Sequence, residues 1–178
     1  PATGPFVADR TGLHLIIGVS PDRLATGADP GLGTGSGGFL ALVARHLVPA
    51  ADMVSDPDDL GRPRAGADVA ARLDLLGQLI SGATAVPGPV LAAVVHGELL
   101  SLDAFPTANG IIARAASRLV CTSTGLDPHN LGVPEVTWLK RIKDYRAYAQ
   151  GFAAGTPEGL GNWIVLCCEA LEAGAAEA

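Results

Sequence analysis

From residue 39 onwards, the apolar residues recur mainly at helical spacing. The segment 68–80 carries one apolar stripe, which predicts an amphipathic helix. The next segment, 86–102 (VPGPVLAAVVHGELLSL), is apolar nearly all round, as a central buried helix is, and Pro89 suits its first position. The stripe of the first segment consists of Val69, Leu73, Leu76, Leu79 and Ile80.

The remaining helices follow from the same pattern and from capping residues. We predict helices at 39–47 (FLALVARHL) and 109–122, the second of them ended by Gly125, and one or two helices across 133–152. Thr156 followed by Pro157 is typical of a helix start, here of the helix that contains 162–174. No run of alternating strands and no internal repeat is evident. The predicted fold class is therefore all-α.

Residues 1–38 do not share this pattern. They are rich in Gly and Pro, and HLIIGVS at 14–20 suits either a short strand or the end of a helix. We expect an irregular N-terminal arm over 1–38 and a helical domain over 39–178. A glycine motif at Gly33, Gly35 and Gly38 matches a dinucleotide-binding fingerprint, but no strand directly precedes it, so a flexible linker explains it better.

Composition and charge limit the binding partners and the cellular compartment that we expect for this protein. The 178 residues carry a net charge of −6, which argues against nucleic-acid binding. Three basic clusters, which are Arg62 with Arg64, Arg114 with Arg118 and the segment 140–146, are interpreted as solvated helix faces. No apolar run reaches the ~20 residues of a membrane span. The three cysteines have no framework spacing, so we expect a cytoplasmic protein without membrane contact.

A short loop between two predicted helices holds the strongest chemical signal. In LLSLDAFPTANGIIARAASRLV, residues 99–120, the second helix begins at Asn109 and carries Arg114 about one turn inside. The first N–H groups of a helix and its dipole favour an anion, and Gly110 allows a ligand to approach the backbone closely. An ordinary helix–loop–helix with an asparagine cap is the alternative.

The same residues resemble the catalytic loop of the Fic family. That loop reads His-x-Phe-x-(Asp/Glu)-Gly-Asn-Gly-Arg-x-x-Arg, and Phe105, Asn109, Gly110 and Arg114 match it. LGRPR at 60–64 is similar to a Gly-x-x-Arg element before the family's core, and 141–167 to its closing helices. The resemblance spans roughly 39–174 and implies a Fic-like helical bundle. It also implies transfer of a nucleotide monophosphate, or a related phosphate group, to a protein hydroxyl.

Four departures from the family pattern weaken the implied chemistry. Asp103 stands where the family has the histidine that acts as general base, and carboxylates are ordinarily far weaker bases than imidazole. Thr107 replaces the acidic Mg²⁺ ligand, Ala108 a loop glycine, and Ile111 the first arginine. Loss of one electrostatic donor alone costs about 10²–10³ in rate. Ordinary Fic transfer is therefore expected to be absent or very slow.

The leading functional hypothesis is a Fic-like pseudoenzyme that binds a phosphate, a nucleotide or a protein partner. Phe105, Asn109, Gly110 and Arg114 are its candidate binding residues, and Asp103 holds the catalytic position. ATP or another nucleotide is the implied ligand, while the loss of the acidic residue argues against Mg²⁺. The alternatives are an active transferase in which Asp103 is base or nucleophile, and a structural subunit or homodimer.

Overall fold

The computed structural model describes residues 63–81, 84–106 and 109–177. These ranges contain six α-helices and no strand, which confirms the all-α prediction for this part of the chain. The expectations for the arm 1–38, the helix 39–47 and the domain start at residue 39 lie outside the described residues. The helices are α1 (Ala67–Ser81), α2 (Gly88–Leu102), α3 (Asn109–Ser123), α4 (Pro134–Lys140), α5 (Ile142–Ala153) and α6 (Pro157–Ala176).

Helix α2 is the centre of the bundle and packs against α1, α3, α5 and α6. Seven of its fifteen residues are buried, around most of the helix, as its largely apolar sequence predicts. The helix begins at Gly88 after an N-cap at Pro87, so Pro89 is its second residue rather than its first. Because α2 has neighbours on several sides, it fixes the positions of the other helices.

Two apolar clusters lie on different sides of α2. The first joins α1, α2 and α3, and it contains Phe105 from the loop between α2 and α3. The predicted stripe of α1 faces this cluster, with Leu73 and Leu76 buried. The second joins α2, α4, α5 and α6 around Trp138 and Trp163. The core is thus mostly aliphatic on one side and aromatic on the other.

The C-terminal half closes the aromatic side. The segment 133–152 forms two helices that break at Arg141, and Thr156 caps α6 by accepting a hydrogen bond from the Gly159 N–H at 3.1 Å.

Gly125 adopts a positive φ of 76° just after α3, as its predicted role at the end of that helix requires. All three cysteines are free thiols. No helix within the described ranges is long and apolar enough to cross a membrane.

Helices α5 and α6 approach each other most closely at two glycines. A Cβ built on Gly159 would lie 2.9 Å from the Gly151 Cα and closer still to the Gly151 carbonyl. Real Cβ atoms do not approach backbone atoms so closely. Any side chain at residue 159 must therefore push α5 away from α6.

We predict that Gly159→Ala lowers the free energy of unfolding by about 1–3 kcal/mol, because the added methyl overpacks this contact. Gly161→Ala is the matched control, since a Cβ at Gly161 meets nothing within 4 Å on the same helix. There the change should stabilise the protein by about 0.5–1 kcal/mol through helix propensity. Urea unfolding of both variants measures the difference. Two variants of equal stability would contradict the close contact.

Candidate anion-binding loop

Asp103 ends α2 in the left-handed conformation, with φ 45° and ψ 47°. Asp tolerates this conformation better than most residues, because its short side chain can hydrogen-bond locally. Its side chain is 61% exposed. The residue at the family's histidine position thus serves as the C-cap of α2, a role that the sequence comparison did not predict.

Asn109 connects both ends of the loop between α2 and α3. Its Oδ1 accepts a hydrogen bond from the Phe105 N–H at 2.9 Å. Its amide donates to the Phe105 carbonyl at 2.8 Å and to the Asp103 carboxylate at 2.6 Å. Both amide hydrogens are therefore engaged within the loop. Phe105 itself is only 2% exposed and anchors the loop in the aliphatic cluster.

Arg64 holds the outer side of the same loop. Its backbone N–H donates to the Ala104 carbonyl at 2.7 Å, and its Nε to the Phe105 carbonyl at 3.2 Å. Its Nη2 lies 3.0 Å from Oδ2 of Asp103. The segment that resembles the family's Gly-x-x-Arg element thus contacts the loop through its last residue. Each oxygen of Asp103 has one donor, Arg64 on Oδ2 and Asn109 on Oδ1.

Gly110 and Arg114 lie together on the first turns of α3. A Cβ built on Gly110 would lie 3.3 Å from Nη1 of Arg114, so the guanidinium folds back over Gly110. Arg114 forms no ion pair with a carboxylate among the described residues. Next to this pair Ile111 is 43% exposed, where the family pattern has an arginine. Residues 107 and 108 lie outside the described residues.

Behind Arg114 lies a buried polar centre that the sequence did not identify as part of the site. His96 is fully buried, and its Nε2 is 2.9 Å from the Tyr145 hydroxyl. Burial raises the pKa of Tyr145, and the charge and side-chain hydrogen bonding of Arg114 oppose that rise. His96 Nδ1 and Trp138 Nε1 are buried without a hydrogen-bond partner. His96 is therefore a core histidine with a hydrogen-bond partner on only one of its two ring nitrogens.

Arg118 differs from the solvated residue that the sequence analysis expected. Its guanidinium forms two hydrogen bonds with the Glu135 carboxylate, both at 2.9 Å, and others with Asn130 and the Gly132 carbonyl. Burial raises the pKa of Glu135, but the hydrogen bonds and charge of Arg118 outweigh that effect and lower it. Arg118 therefore fastens the loop after α3 to the start of α4, and it differs from Arg114 in being fully occupied.

No protein-family model matches the chain, and no curated protein and no solved structure is significantly similar to it. The likeness to the Fic loop therefore rests on Phe105, Asn109, Gly110 and Arg114 and their surroundings. In the ranges that the structure describes, no three His, Cys, Asp or Glu side chains group to hold a metal ion. What the loop offers chemically is a helix N-terminus with one arginine, Arg114, that has no carboxylate partner among the described residues.

We predict that Asn109→Ala lowers the free energy of unfolding by about 1–3 kcal/mol, because the variant leaves the Phe105 N–H without its acceptor in a buried position. Asn162→Ala, at an exposed position on α6, is the matched control and should change stability by less than about 0.5 kcal/mol. Urea unfolding curves give both values. If the two variants are equally stable, Asn109 does not hold the loop.

We also predict that His96 makes stability fall in acid. Burial, together with the charge of Arg114, lowers the pKa of His96 from 6.5 to about 3. Between these values the unfolded chain binds more protons than the folded chain. Stability therefore decreases as the pH is lowered from 6.5 towards 3, by up to about 1.4 kcal/mol per pH unit.

The measurement is urea unfolding of the wild type and of His96→Gln across this pH range. Carboxylates contribute to the slope in both proteins, so the difference between the two slopes isolates His96. The wild-type slope should be the steeper one. Identical slopes would show that His96 is not buried in its neutral form.

Proposed function

We propose that this protein is a Fic-like pseudoenzyme that retains the loop of a phosphoryl- or nucleotidyl-transfer site as a binding site for a phosphate-bearing ligand. The observation that carries the proposal is Arg114, which lies over Gly110 at the start of α3 with no carboxylate partner among the described residues. An arginine at a helix N-terminus, where the dipole is positive, attracts an anion.

The geometry around Asp103 supports the loss of transfer chemistry. A general base must be free to approach the hydroxyl from which it removes a proton. Each carboxylate oxygen of Asp103 already accepts a charged or amide donor, from Arg64 and Asn109. These contacts hold Asp103 as a structural cap of α2. We therefore assign it no part in proton transfer.

The binding residues follow from the same contacts. The N–H groups at the start of α3 and the Arg114 guanidinium are the proposed ligand donors, since the amide of Asn109 is engaged within the loop. Asn109 and Phe105 shape the site by fixing the loop to the aliphatic cluster. Tyr145 borders Arg114 from α5. The ligand is a phosphate group, free or carried by a nucleotide such as ATP.

The proposal predicts that inorganic phosphate and ATP at millimolar concentration raise the thermal midpoint of the protein. At ten times the Kd, binding stabilises the folded state by about 1.4 kcal/mol, which corresponds to roughly 3–6 °C for a protein of this size. Arg114→Gln should abolish the shift. Arg146→Gln, which removes an exposed arginine of α5, is the matched control and should keep it.

A gain of affinity gives a second test of the same site. Ile111→Arg places a cation on the exposed first turn of α3 and should increase the shift of the thermal midpoint with phosphate.

Labelled ATP incubated with the wild type and candidate proteins should leave no label on protein. If phosphate and ATP give no shift, or if Arg114→Gln gives the wild-type shift, the proposed binding site is wrong. Transfer of label would contradict the pseudoenzyme.

A further inference from the structure

The buried polar centre behind Arg114 contains two ring nitrogens that have no hydrogen-bond partner among the described residues. They are Nδ1 of His96 and Nε1 of Trp138. The two residues are 0% and 5% exposed, and their rings contact each other edge to face with centroids 4.7 Å apart. Buried polar atoms nearly always have a partner. The position of the hydrogen on the His96 ring therefore decides how unfavourable this pair of atoms is.

The chemistry of the two rings favours one tautomer of His96. Nε1 of Trp138 always carries a hydrogen and can only donate, whereas a neutral histidine carries a hydrogen on one nitrogen only. His96 is neutral near pH 7, because burial and the charge of Arg114 lower its pKa to about 3. A hydrogen on Nδ1 would leave two unsatisfied donors in contacting rings. A hydrogen on Nε2 instead makes Nδ1 an acceptor beside the indole donor, which costs less.

This tautomer determines what the hydroxyl of Tyr145 can do. Nε2 of His96 lies 2.9 Å from that hydroxyl, so with its hydrogen on Nε2 the ring donates and the oxygen accepts. The Arg114 guanidinium, which can only donate, interacts with the same oxygen. Two donors fill both lone pairs of a hydroxyl oxygen. The O–H of Tyr145 then needs an acceptor that the described part of the chain does not supply.

The same hydroxyl lies next to the proposed phosphate site. The Arg114 guanidinium folds over Gly110 and also interacts with Tyr145, so one group reaches from the first turn of α3 to the hydroxyl. The Tyr145 ring is held between Trp138 and Trp163, with centroids 5.8 and 5.4 Å away. A donor fixed in this way loses little conformational entropy when it binds a ligand.

We propose that Tyr145 donates its O–H to an oxygen of the phosphate group that Arg114 binds. His96 positions the hydroxyl through its Nε2–H, and Trp138 holds His96 in that tautomer. This inference rests on the proposed function and adds a third kind of donor to the N–H groups of α3 and the guanidinium. Burial raises the pKa of Tyr145, so its hydroxyl keeps its proton at neutral pH and binds the ligand without acting as a base.

The affinity of the site for inorganic phosphate tests the role of Tyr145. The Kd is measured from the amide signals of the ¹⁵N-labelled protein, at a temperature where each variant is folded. Tyr145→Phe removes only the hydroxyl and should raise the Kd about tenfold, as the loss of one hydrogen bond to a charged group does. Tyr148→Phe, one turn further along α5 and packed against the same aromatic cluster, is the matched control and should keep the wild-type Kd.

The ring nitrogens of His96 test the positioning role independently of affinity. In the wild type, the ¹⁵N signals should show a hydrogen on Nε2 and none on Nδ1, because a protonated ring nitrogen resonates far upfield of a bare one. Trp138→Phe removes the indole donor and keeps an aromatic ring. It should shift His96 towards the other tautomer and weaken phosphate binding, by less than Tyr145→Phe does.

The outcomes separate this inference from the proposed function. If the wild type binds phosphate and Tyr145→Phe binds it equally well, the role of Tyr145 is overturned while the phosphate site stands. A hydrogen on Nδ1 of His96 in the wild type would also overturn the inference, whether or not Trp138→Phe folds. A wild type that does not bind phosphate would overturn both.

Discussion

The side chain of Asn109 closes the loop between α2 and α3, and the arrangement of the candidate site depends on it. It bonds both the N–H and the carbonyl of Phe105, and it reaches Asp103 at the end of α2. Arg64 supports the same groups from outside. These contacts set where α3 begins. They also occupy both oxygens of the Asp103 carboxylate, which is thereby held as the cap of α2.

The burial of α2 links this loop to the rest of the bundle. Where α2 faces the core, a polar residue must find its partner inside, and His96 finds Tyr145 from α5. Tyr145 in turn borders Arg114 on α3. Arg114, which has no carboxylate partner among the described residues, thus lies against a buried polar centre. One helix thereby determines both the core and the surroundings of the proposed ligand donor.

The positions of the helices could be predicted from the sequence, because apolar spacing and capping residues are local signals. The stripe of α1 and the Thr156 cap are where the pattern placed them, and α2 begins one residue earlier than expected. The contacts of the site were not predictable in the same way. That Asp103 adopts the left-handed conformation and pairs with Arg64 depends on residues far apart in the chain.

The same reason explains two missed features. Arg114 and Arg118 lie four residues apart, and the sequence around them does not distinguish the two. The fold pairs Arg118 with Glu135 and leaves Arg114 without a carboxylate partner among the described residues. A groove lies between the start of α2, the end of α3, the loop after α3, the start of α4 and the last part of α6, and none of these five segments is unusual alone. Sequence patterns report single elements well, whereas charge pairing and concave surfaces arise from their packing.

The proposed site at the start of α3 binds an anion and does not transfer it. The most direct measurement is a titration of the ¹⁵N-labelled protein with inorganic phosphate, followed through the backbone amide signals and the Arg114 side chain. We expect saturable shifts at Gly110, Ile111 and the Arg114 Nε, with smaller ones at Tyr145. Shifts confined to the basic residues of α4 and α5, or no saturable shifts at all, would contradict it.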